Sequence, residues 1–150
     1  MKVKDIMLSD PPTLRHTATY EEVASLLESH NLPGAPILDD TDSLVGIITE
    51  KDLFAVLYPF ASSYTRNPNK YGDPEAREQK IVEISQDPIT KFMPKILIKT
   101  HPDTPVLRIG AIMLSRGLHA VPVLDDEERL VGVLFRADIY RRLSNRYLNP

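Results

Sequence analysis

The sequence predicts an α/β fold of the α+β type, in which two pseudo-symmetric strand–helix–strand–strand–helix units pack their small sheets together. Three observations predict it. Residues 3–53 align without a gap with residues 89–139, at an offset of 86 positions, and 11 of the 51 aligned pairs are identical. Each copy also carries a helix-start signal followed by an apolar stripe, and then two apolar runs around an acidic turn. An ungapped register that preserves Pro, Gly and Asp positions indicates a true duplication.

The first predicted element of each copy that has a clear boundary is a helix. Thr19 followed by Glu22 forms a capping box, and an apolar stripe with helical spacing comes next. In the second copy, Thr104 is predicted to cap the helix and Pro105 to occupy its first position, where a missing N–H costs nothing. The two stripes are Tyr20, Val23, Ala24 and Leu27, and Val106, Ile109, Gly110 and Met113.

Each helix is followed by a predicted β-hairpin. In the first copy, apolar residues 35–38 and 44–48 flank the acidic turn DDTD; in the second, residues 120–124 and 130–135 flank DDEE. Such continuous apolar strands are typical of sheets that are covered on both faces. We therefore expect each unit to need its twin for a complete core.

Composition excludes several classes of function. The chain has 150 residues, 42% of them hydrophobic, which suffices for one compact core or two half-domains that share one. With 18 Lys and Arg against 21 Asp and Glu, the net charge of −3 makes nucleic acid an improbable partner. The absence of cysteine excludes thiol chemistry and suits a reducing compartment. Since no apolar run has the length of a membrane span or a secretory signal, we expect a soluble cytoplasmic protein.

The segment GIITEKD, residues 46–52, is the most informative motif. Thr49 and Asp52 are three residues apart at a predicted strand-to-helix junction, so their side chains face the same way. A helix N-terminus and the Thr49 hydroxyl suit a phosphate, and an ionised carboxylate at Asp52 can accept both ribose hydroxyls. The same pair is also a serviceable helix cap that needs no ligand. The motif therefore supports two interpretations, nucleotide binding and capping.

The second copy favours nucleotide binding. Asp138 is present there although the position of Thr49 is taken by Phe135, which has no hydroxyl for capping. Phe135 is expected to weaken the phosphate end of a second cleft, whereas Arg136 and His119 could compensate with positive charge. The second site is therefore predicted to be altered rather than lost, and either cleft could borrow cations from the other copy.

Together these residues resemble the cystathionine-β-synthase (CBS) domain, and the tandem resembles a CBS pair, or Bateman module. The resemblance rests on VKDIM, on APILDD and VPVLDD at the second strand, and on LVGIITEKDL at the third. It implies two pseudo-symmetric clefts for adenosine-containing ligands such as AMP, ADP, ATP or S-adenosylmethionine, and a regulatory role rather than an enzymatic one. It also implies that adenine lies against further residues, namely Pro12, Thr13 and Ala35 in one cleft and Ile98, Lys99 and Val121 in the other.

Metal and catalytic sites are not expected. A calcium-binding loop starting at Asp40 would need Gly and Glu where Val45 and Lys51 stand, so the acidic segments are interpreted as turns. The four histidines are too far apart in sequence for a local metal motif. The last helix is basic, which is more typical of a solvated or dimer-facing surface than of an RNA site.

The predicted organisation is a first CBS motif over residues 1–57, an insert over 58–88 with a helix from Asp73 to about Ser85, and a second CBS motif over 89–148. The insert could be a lid, a dimer contact, a docking segment for a regulated protein, or passive surface. It carries Tyr58, Phe60, Tyr64 and Tyr71.

Two functions follow from this organisation. A regulatory module that binds an adenosine ligand is favoured by the complete 46–52 motif. A dimerisation or protein-interaction module that binds no ligand is favoured by the absence of an effector domain from these 150 residues. In either case we expect a homodimer, because the helices of both units would otherwise expose their apolar stripes.

Overall fold

The structure is a computed structural model that describes residues 1–58, 65–67 and 72–149. Phe60, Tyr64 and Tyr71 of the predicted insert lie outside the described residues. The first unit has the predicted order of elements: β1 (Leu8–Ser9), β2 (Leu14–Arg15), α1 (Tyr20–His30), β3 (Gly34–Leu38), β4 (Leu44–Thr49) and α2 (Glu50–Ala55).

Among the described residues, the second unit repeats the helix, hairpin and helix after two short helices, but its predicted first strand is only an isolated bridge between Thr100 and Val123. The insert contributes α3 (Pro74–Glu78) and α4 (Lys80–Ile84), and the second unit contributes α5 (Val106–Arg116), β5 (Ala120–Leu124), β6 (Leu130–Phe135) and α6 (Arg136–Leu148). The single helix predicted from Asp73 is therefore interrupted at Gln79, although Asp73 does cap it by accepting a hydrogen bond from the Glu75 N–H.

The two long helices begin in different ways. Thr19 and Glu22 form the predicted capping box, with Thr19 N–H donating to Glu22 at 2.9 Å and Glu22 N–H donating to Thr19 Oγ1 at 3.2 Å. The predicted cap at Thr104 is wrong, because α5 starts one residue later, after Pro105, and has no side-chain cap. Its first N–H, from Val106, donates instead to the carbonyl oxygen of Met1.

The strands form two three-stranded sheets with the orders β2-β3-β4 and β1-β6-β5. The hairpins have equivalent registers, since Pro36 lies opposite Ile47 and Pro122 opposite Val133. Strand β1 pairs with β6 of the second unit, antiparallel, with Leu8 opposite Val133. The first unit thus completes the sheet of the second.

The two units exchange their leading segments. Met7 lies over Gly132 of the second unit, and its counterpart Met93 lies over Gly46 of the first, so that a side chain at either glycine would collide with the methionine. Backbone hydrogen bonds show the same exchange. In the second unit, the N–H groups of Val3 and Lys4 donate to the carbonyl oxygens of Thr104 and Pro102. In the first unit, the N–H of Tyr20 donates to Asp87, and the N–H of Ile89 donates to Ala18. Each unit is therefore closed by a segment that precedes the other.

The core consists of one cluster in each unit and a third cluster between the sheets. The third contains Ala120, Val133 and Phe135, and it is covered by Leu8, Leu32 and Ile47. Since burying a side chain of this size stabilises a fold by about 1.5–3 kcal/mol, this cluster holds the two units together.

Candidate functional site

The pair Thr49 and Asp52 forms a complete capping box at the start of α2. The N–H and the hydroxyl of Thr49 both donate to Asp52 Oδ2, each at 2.9 Å, and the Asp52 N–H donates to Thr49 Oγ1 at 3.4 Å. Thr49 is 8% exposed. The capping interpretation is therefore correct for this structure.

Capping does not exhaust the hydrogen-bonding capacity of Asp52. Both bonds from Thr49 end on the same oxygen, Oδ2, and a carboxylate has about four lone-pair sites on its two oxygens. Among the described residues, no hydrogen bond to Asp52 Oδ1 accompanies them. Asp52 can thus cap α2 through one oxygen and accept a ligand hydroxyl through the other.

Thr49 and Asp52 line a cleft of about 460 Å³ between the two units, which we call the first cleft. Three segments form it: the junction of β4 and α2, residues 94–98, and residues 116–120. The apolar side chains that line it are Ile47, Ile96, Ile98, Leu118 and Ala120. A volume of this size is in the range of small-molecule sites.

The lining of the first cleft also carries positive charge. Lys51 and Arg116 line it together with His119, and Lys51 Nζ donates to the carbonyl oxygen of Gly117 at 3.0 Å, which links the two units. Arg136 Nη2 is 3.3 Å from His119 Nδ1. Partial burial, and then the charges of Arg136 and Lys51, lower the pKa of His119. The positive charges of Arg136 and Lys51, which contribute to this shift, also favour an anion near His119.

The comparisons with known proteins agree with this architecture. A model of the CBS domain matches residues 3–59 and 89–145. The chain belongs to the CBS-domain family. Over 144 residues, this CBS pair is 31% identical to L-aspartate semialdehyde sulfurtransferase of Methanocaldococcus jannaschii, a match that covers 96% of this chain and 23% of that enzyme. It is 24% identical over 141 residues to inosine-5′-monophosphate dehydrogenase of the same organism, covering 94% and 23%. The chain thus spans about a quarter of the length of these relatives.

Two solved structures resemble the whole CBS pair. The CBS domain pair of protein MJ0100, crystallised with 5′-methylthioadenosine and S-adenosyl-L-methionine, superposes with a TM-score of 0.73 at 28% identity, covering 97% of this chain and 98% of that one. CBSX2 from Arabidopsis thaliana superposes with a TM-score of 0.75 at 19% identity, covering 99% and 98%. The second match establishes the fold alone.

The CBS packing changes the predicted grouping of site residues. Ile98 and His119, which the sequence placed with Asp138, line the first cleft with Thr49 and Asp52. The reason is the pseudo-two-fold packing, which sets the start of β5 beside the end of β4. Arg136 reaches the same region only through its contact with His119.

Asp138 lies in a different environment from its counterpart Asp52. Its carboxylate accepts a hydrogen bond from Arg141 Nη1 at 3.2 Å, within one turn of α6. It faces a groove of about 340 Å³ formed with the N-terminal segment, lined by Asp5, Ile6, Met7, Arg141, Arg142 and Asn145. Asp138 therefore faces an arginine-rich surface rather than a cleft with an apolar wall.

The remaining predicted contacts are not brought to the first cleft. Ala35 and Val121 are completely buried in the two cores, because they occupy central positions of β3 and β5. Lys99 pairs with Glu128 at 2.7 Å on the surface. Pro12 is partly buried, and Thr13 borders an open groove between the two acidic turns.

Several residues of the first cleft were missed by the sequence interpretation, namely Lys51, Ile96, Arg116 and Leu118. Lys51 stands inside the GIITEKD motif and was the detectable one, because it is a cation two residues after Thr49. Arg116 ends α5 of the other unit and Leu118 comes two residues later, so it is the packing of the two units that brings them to the same cleft as Asp52.

The acidic turns are structural. Asp39 Oδ1 accepts hydrogen bonds from the N–H groups of Thr41 and Ser43, at 2.8 and 3.0 Å, and these bonds together with the Thr41 hydroxyl lower the pKa of Asp39. Within the described part of the chain, no group of three or more His, Asp or Glu side chains is placed to hold a metal ion. The described helices also include none with the length and hydropathy to cross a bilayer.

Proposed function

We propose that this CBS pair is a regulatory module that binds an adenosine-containing ligand, AMP, ADP, ATP or S-adenosylmethionine, in the first cleft. The observation that carries the proposal is the position of Asp52. Its carboxylate lines a cleft of about 460 Å³ that both units form, together with apolar side chains and with Lys51 and Arg116. A ligand in that cleft would therefore contact both units.

The chemistry of the cleft supports a nucleotide part by part. The isoleucine side chains that line the cleft offer adenine an apolar surface, and Asp52 Oδ1 can accept a hydrogen bond from a ribose hydroxyl. Lys51, Arg116 and His119 line the same cleft and are available to contact a phosphate. The related CBS pair of protein MJ0100 was crystallised with two adenosine compounds, which supports the same ligand class.

The basic side chains of the first cleft favour a phosphate-bearing ligand over S-adenosylmethionine. Lys51 and Arg116 carry full positive charges, which attract a phosphate and repel a sulfonium group. Lys51 is held in place by its hydrogen bond to Gly117, so its ordering is complete before a ligand arrives. We therefore expect AMP, ADP or ATP to bind more tightly than S-adenosylmethionine.

Native mass spectrometry of the purified protein would identify a retained ligand by its mass, and calorimetry with AMP, ADP, ATP and S-adenosylmethionine would then rank the candidates. Asp52→Ala is expected to weaken nucleotide binding about 10- to 100-fold, the cost of one or two hydrogen bonds to a charged group. If none of the four compounds gives heat on ligand-free protein, the binding proposal fails and the alternative, an interaction module without ligand, is favoured.

The matched control is Glu22→Ala. Glu22 closes the capping box of α1 as Asp52 closes that of α2, but it lies outside the first cleft. Both substitutions are expected to destabilise the free protein by about 1 kcal/mol, and only Asp52→Ala should reduce binding. Equal affinities for the two variants would show that Asp52 acts as a cap alone.

The proposal includes a homodimer that acts in the cytoplasm on a protein still to be identified. Large apolar side chains on the outer faces of α5 and α6 are between 67% and 72% exposed, namely Leu107, Leu114, Tyr140, Tyr147 and Leu148. Apolar surface of this extent is typical of an interface. Light scattering should give about twice the chain mass of 16.9 kDa, and a monomer at micromolar concentration would contradict the dimer.

A further inference from the structure

Phe135 is placed where the second cleft would be. It ends β6 as Thr49 ends β4, and it lies opposite Ala120 across the hairpin as Thr49 lies opposite Gly34. Thr49, although only 8% exposed, lines an open cleft, whereas Phe135 is 4% exposed and lies in the apolar cluster between the sheets. Because alternate residues of a strand face the same side, Phe135 and Val133 point together toward the other unit.

The surroundings of Phe135 correspond to the walls of the first cleft. It belongs with Val133 to the cluster between the sheets, against which Leu8 and Leu32 pack. At the offset of 86 residues, three members of this cluster are counterparts of residues that line the first cleft: Val133 of Ile47, Leu8 of Pro94 and Leu32 of Leu118. The walls of a second cleft are present, and they are in the same apolar cluster as the ring.

We propose that Phe135 is a built-in plug that closes the second cleft, so that each chain binds one adenosine ligand. This inference rests on the function proposed for the first cleft and specifies its stoichiometry. Interiors are packed closely, so a space that an aromatic ring occupies is not available to an adenine base. A pseudo-symmetric module thereby has a single responsive site.

The charges around the plug are also changed. The counterparts of Lys51 and His119 are Ala137 and Pro33, and the counterpart of Arg116 is His30. Asp138 remains, hydrogen-bonded to Arg141. Removal of the ring would thus open a space with an apolar lining and without a lysine or arginine at the positions equivalent to Lys51 and Arg116, the second of which is His30. An opened second cleft is expected to take adenosine as well as AMP.

The test is methyl NMR with adenosine and AMP as probes. Ile96 and Leu118 report on the first cleft, and Leu8 and Leu32 report on the second. In the unmodified protein, saturating ligand should shift the first pair of signals and leave the second pair unchanged, with one ligand per chain by calorimetry. In Phe135→Thr both pairs should shift, with two ligands per chain.

A second variant and a control guard against an effect of lost stability. Phe135→Val keeps an apolar, β-branched residue at the strand end and should give a smaller shift at Leu8 and Leu32. Leu134→Val also removes core volume, but Leu134 points to the opposite face of β6, into the cluster of the second unit. It should leave the signals of the second cleft unresponsive to ligand.

The outcomes separate this inference from the proposed function. If Leu8 and Leu32 respond in the unmodified protein, or if two ligands bind per chain, the plug is refuted while nucleotide binding stands. If both Phe135 variants retain a dispersed spectrum and bind one ligand, the plug is also refuted. Absence of any shift at Ile96 and Leu118 in the unmodified protein would instead refute the proposed function.

Discussion

The two clefts of this CBS pair are built on the same backbone and differ in a few side chains. At the end of β4, Thr49 lines a cleft with Asp52, Lys51 and Arg116; at the end of β6, Phe135 is buried among the apolar residues between the sheets. The hairpin registers in the two units are nonetheless equivalent. One side chain at the end of a strand is enough to separate a candidate site from a piece of core.

The identical positions of the repeat explain how this divergence leaves the fold intact. Pro36 and Pro122 occupy equivalent places in their hairpins, and Gly46 and Gly132 provide space for a methionine of the exchanged segment. These residues keep the backbone conformation the same in the two hairpins. The side chain three residues after each glycine differs: Thr49 caps α2 and lines the first cleft, whereas Phe135 packs between the sheets.

The largest effect is expected from Thr49→Phe, which gives the first cleft the side chain of the second. The ring should fill the space beside Ile47 and remove the hydroxyl, so AMP affinity should fall at least about 100-fold, or ~2.8 kcal/mol. Calorimetry measures the loss, and Thr49→Ser, which keeps the hydroxyl, is the control. Binding that survives Thr49→Phe would contradict the location of the site.

A smaller effect is expected from Lys51→Met, which removes a cation and keeps the aliphatic stem. AMP should bind about tenfold more weakly, or ~1.4 kcal/mol, because one charged contact is lost, and adenosine should be unaffected. The matching substitution in the second unit is Ala137→Lys, which adds the cation near the buried Phe135. It should change the affinity for neither AMP nor adenosine. An equal loss for AMP and adenosine would indicate that Lys51 acts through its bond to Gly117 instead.

The smallest effect concerns His119, whose first-unit counterpart is Pro33. Its pKa is lowered in the folded protein by partial burial and by Arg136 and Lys51. In the unfolded chain, the histidine pKa is about 6.5. Near and below this pH, the unfolded chain therefore binds more protons at His119 than the folded protein does, so the free energy of unfolding decreases as the pH falls through about 6.5. Compared with the unmodified protein, His119→Asn should lose less stability between pH 8 and pH 5.5. The difference is small because His119 is exposed.

Urea unfolding at several pH values would measure this difference. The denaturant midpoints of the unmodified protein and His119→Asn should converge at high pH and separate as the pH falls, with the variant then the more stable. A separation of the opposite sign would mean that the folded protein favours the protonated histidine. Midpoints that move in parallel would mean that His119 does not contribute.

The sequence predicted what depends on local pattern. The capping boxes at Thr19 and Thr49 follow from residues three apart, and the hairpins follow from apolar runs around turns. The cap at Thr104 failed because Met1 supplies the carbonyl oxygen that the start of α5 uses, and no local pattern reports a partner about 100 residues away.

The composition of the candidate site was predicted in part for the same reason. Asp52 and Thr49 were identified because one motif contains both. Ile98 and His119 were identified as site residues but assigned to the other cleft, since the repeat shows which residues are equivalent and not which of them meet. Arg116 gave no signal, because at the end of an amphipathic helix it looks like an ordinary solvated residue.

The exchange of leading segments has a consequence for the ancestry of the chain. A single ancestral unit would have lacked the segment that lies over its glycine, and a second molecule could have supplied it, as Met7 and Met93 now do within one chain. We infer that the duplication joined two molecules that already clasped each other. Because each half now carries the segment that closes the other, the two halves are expected to be stable only together.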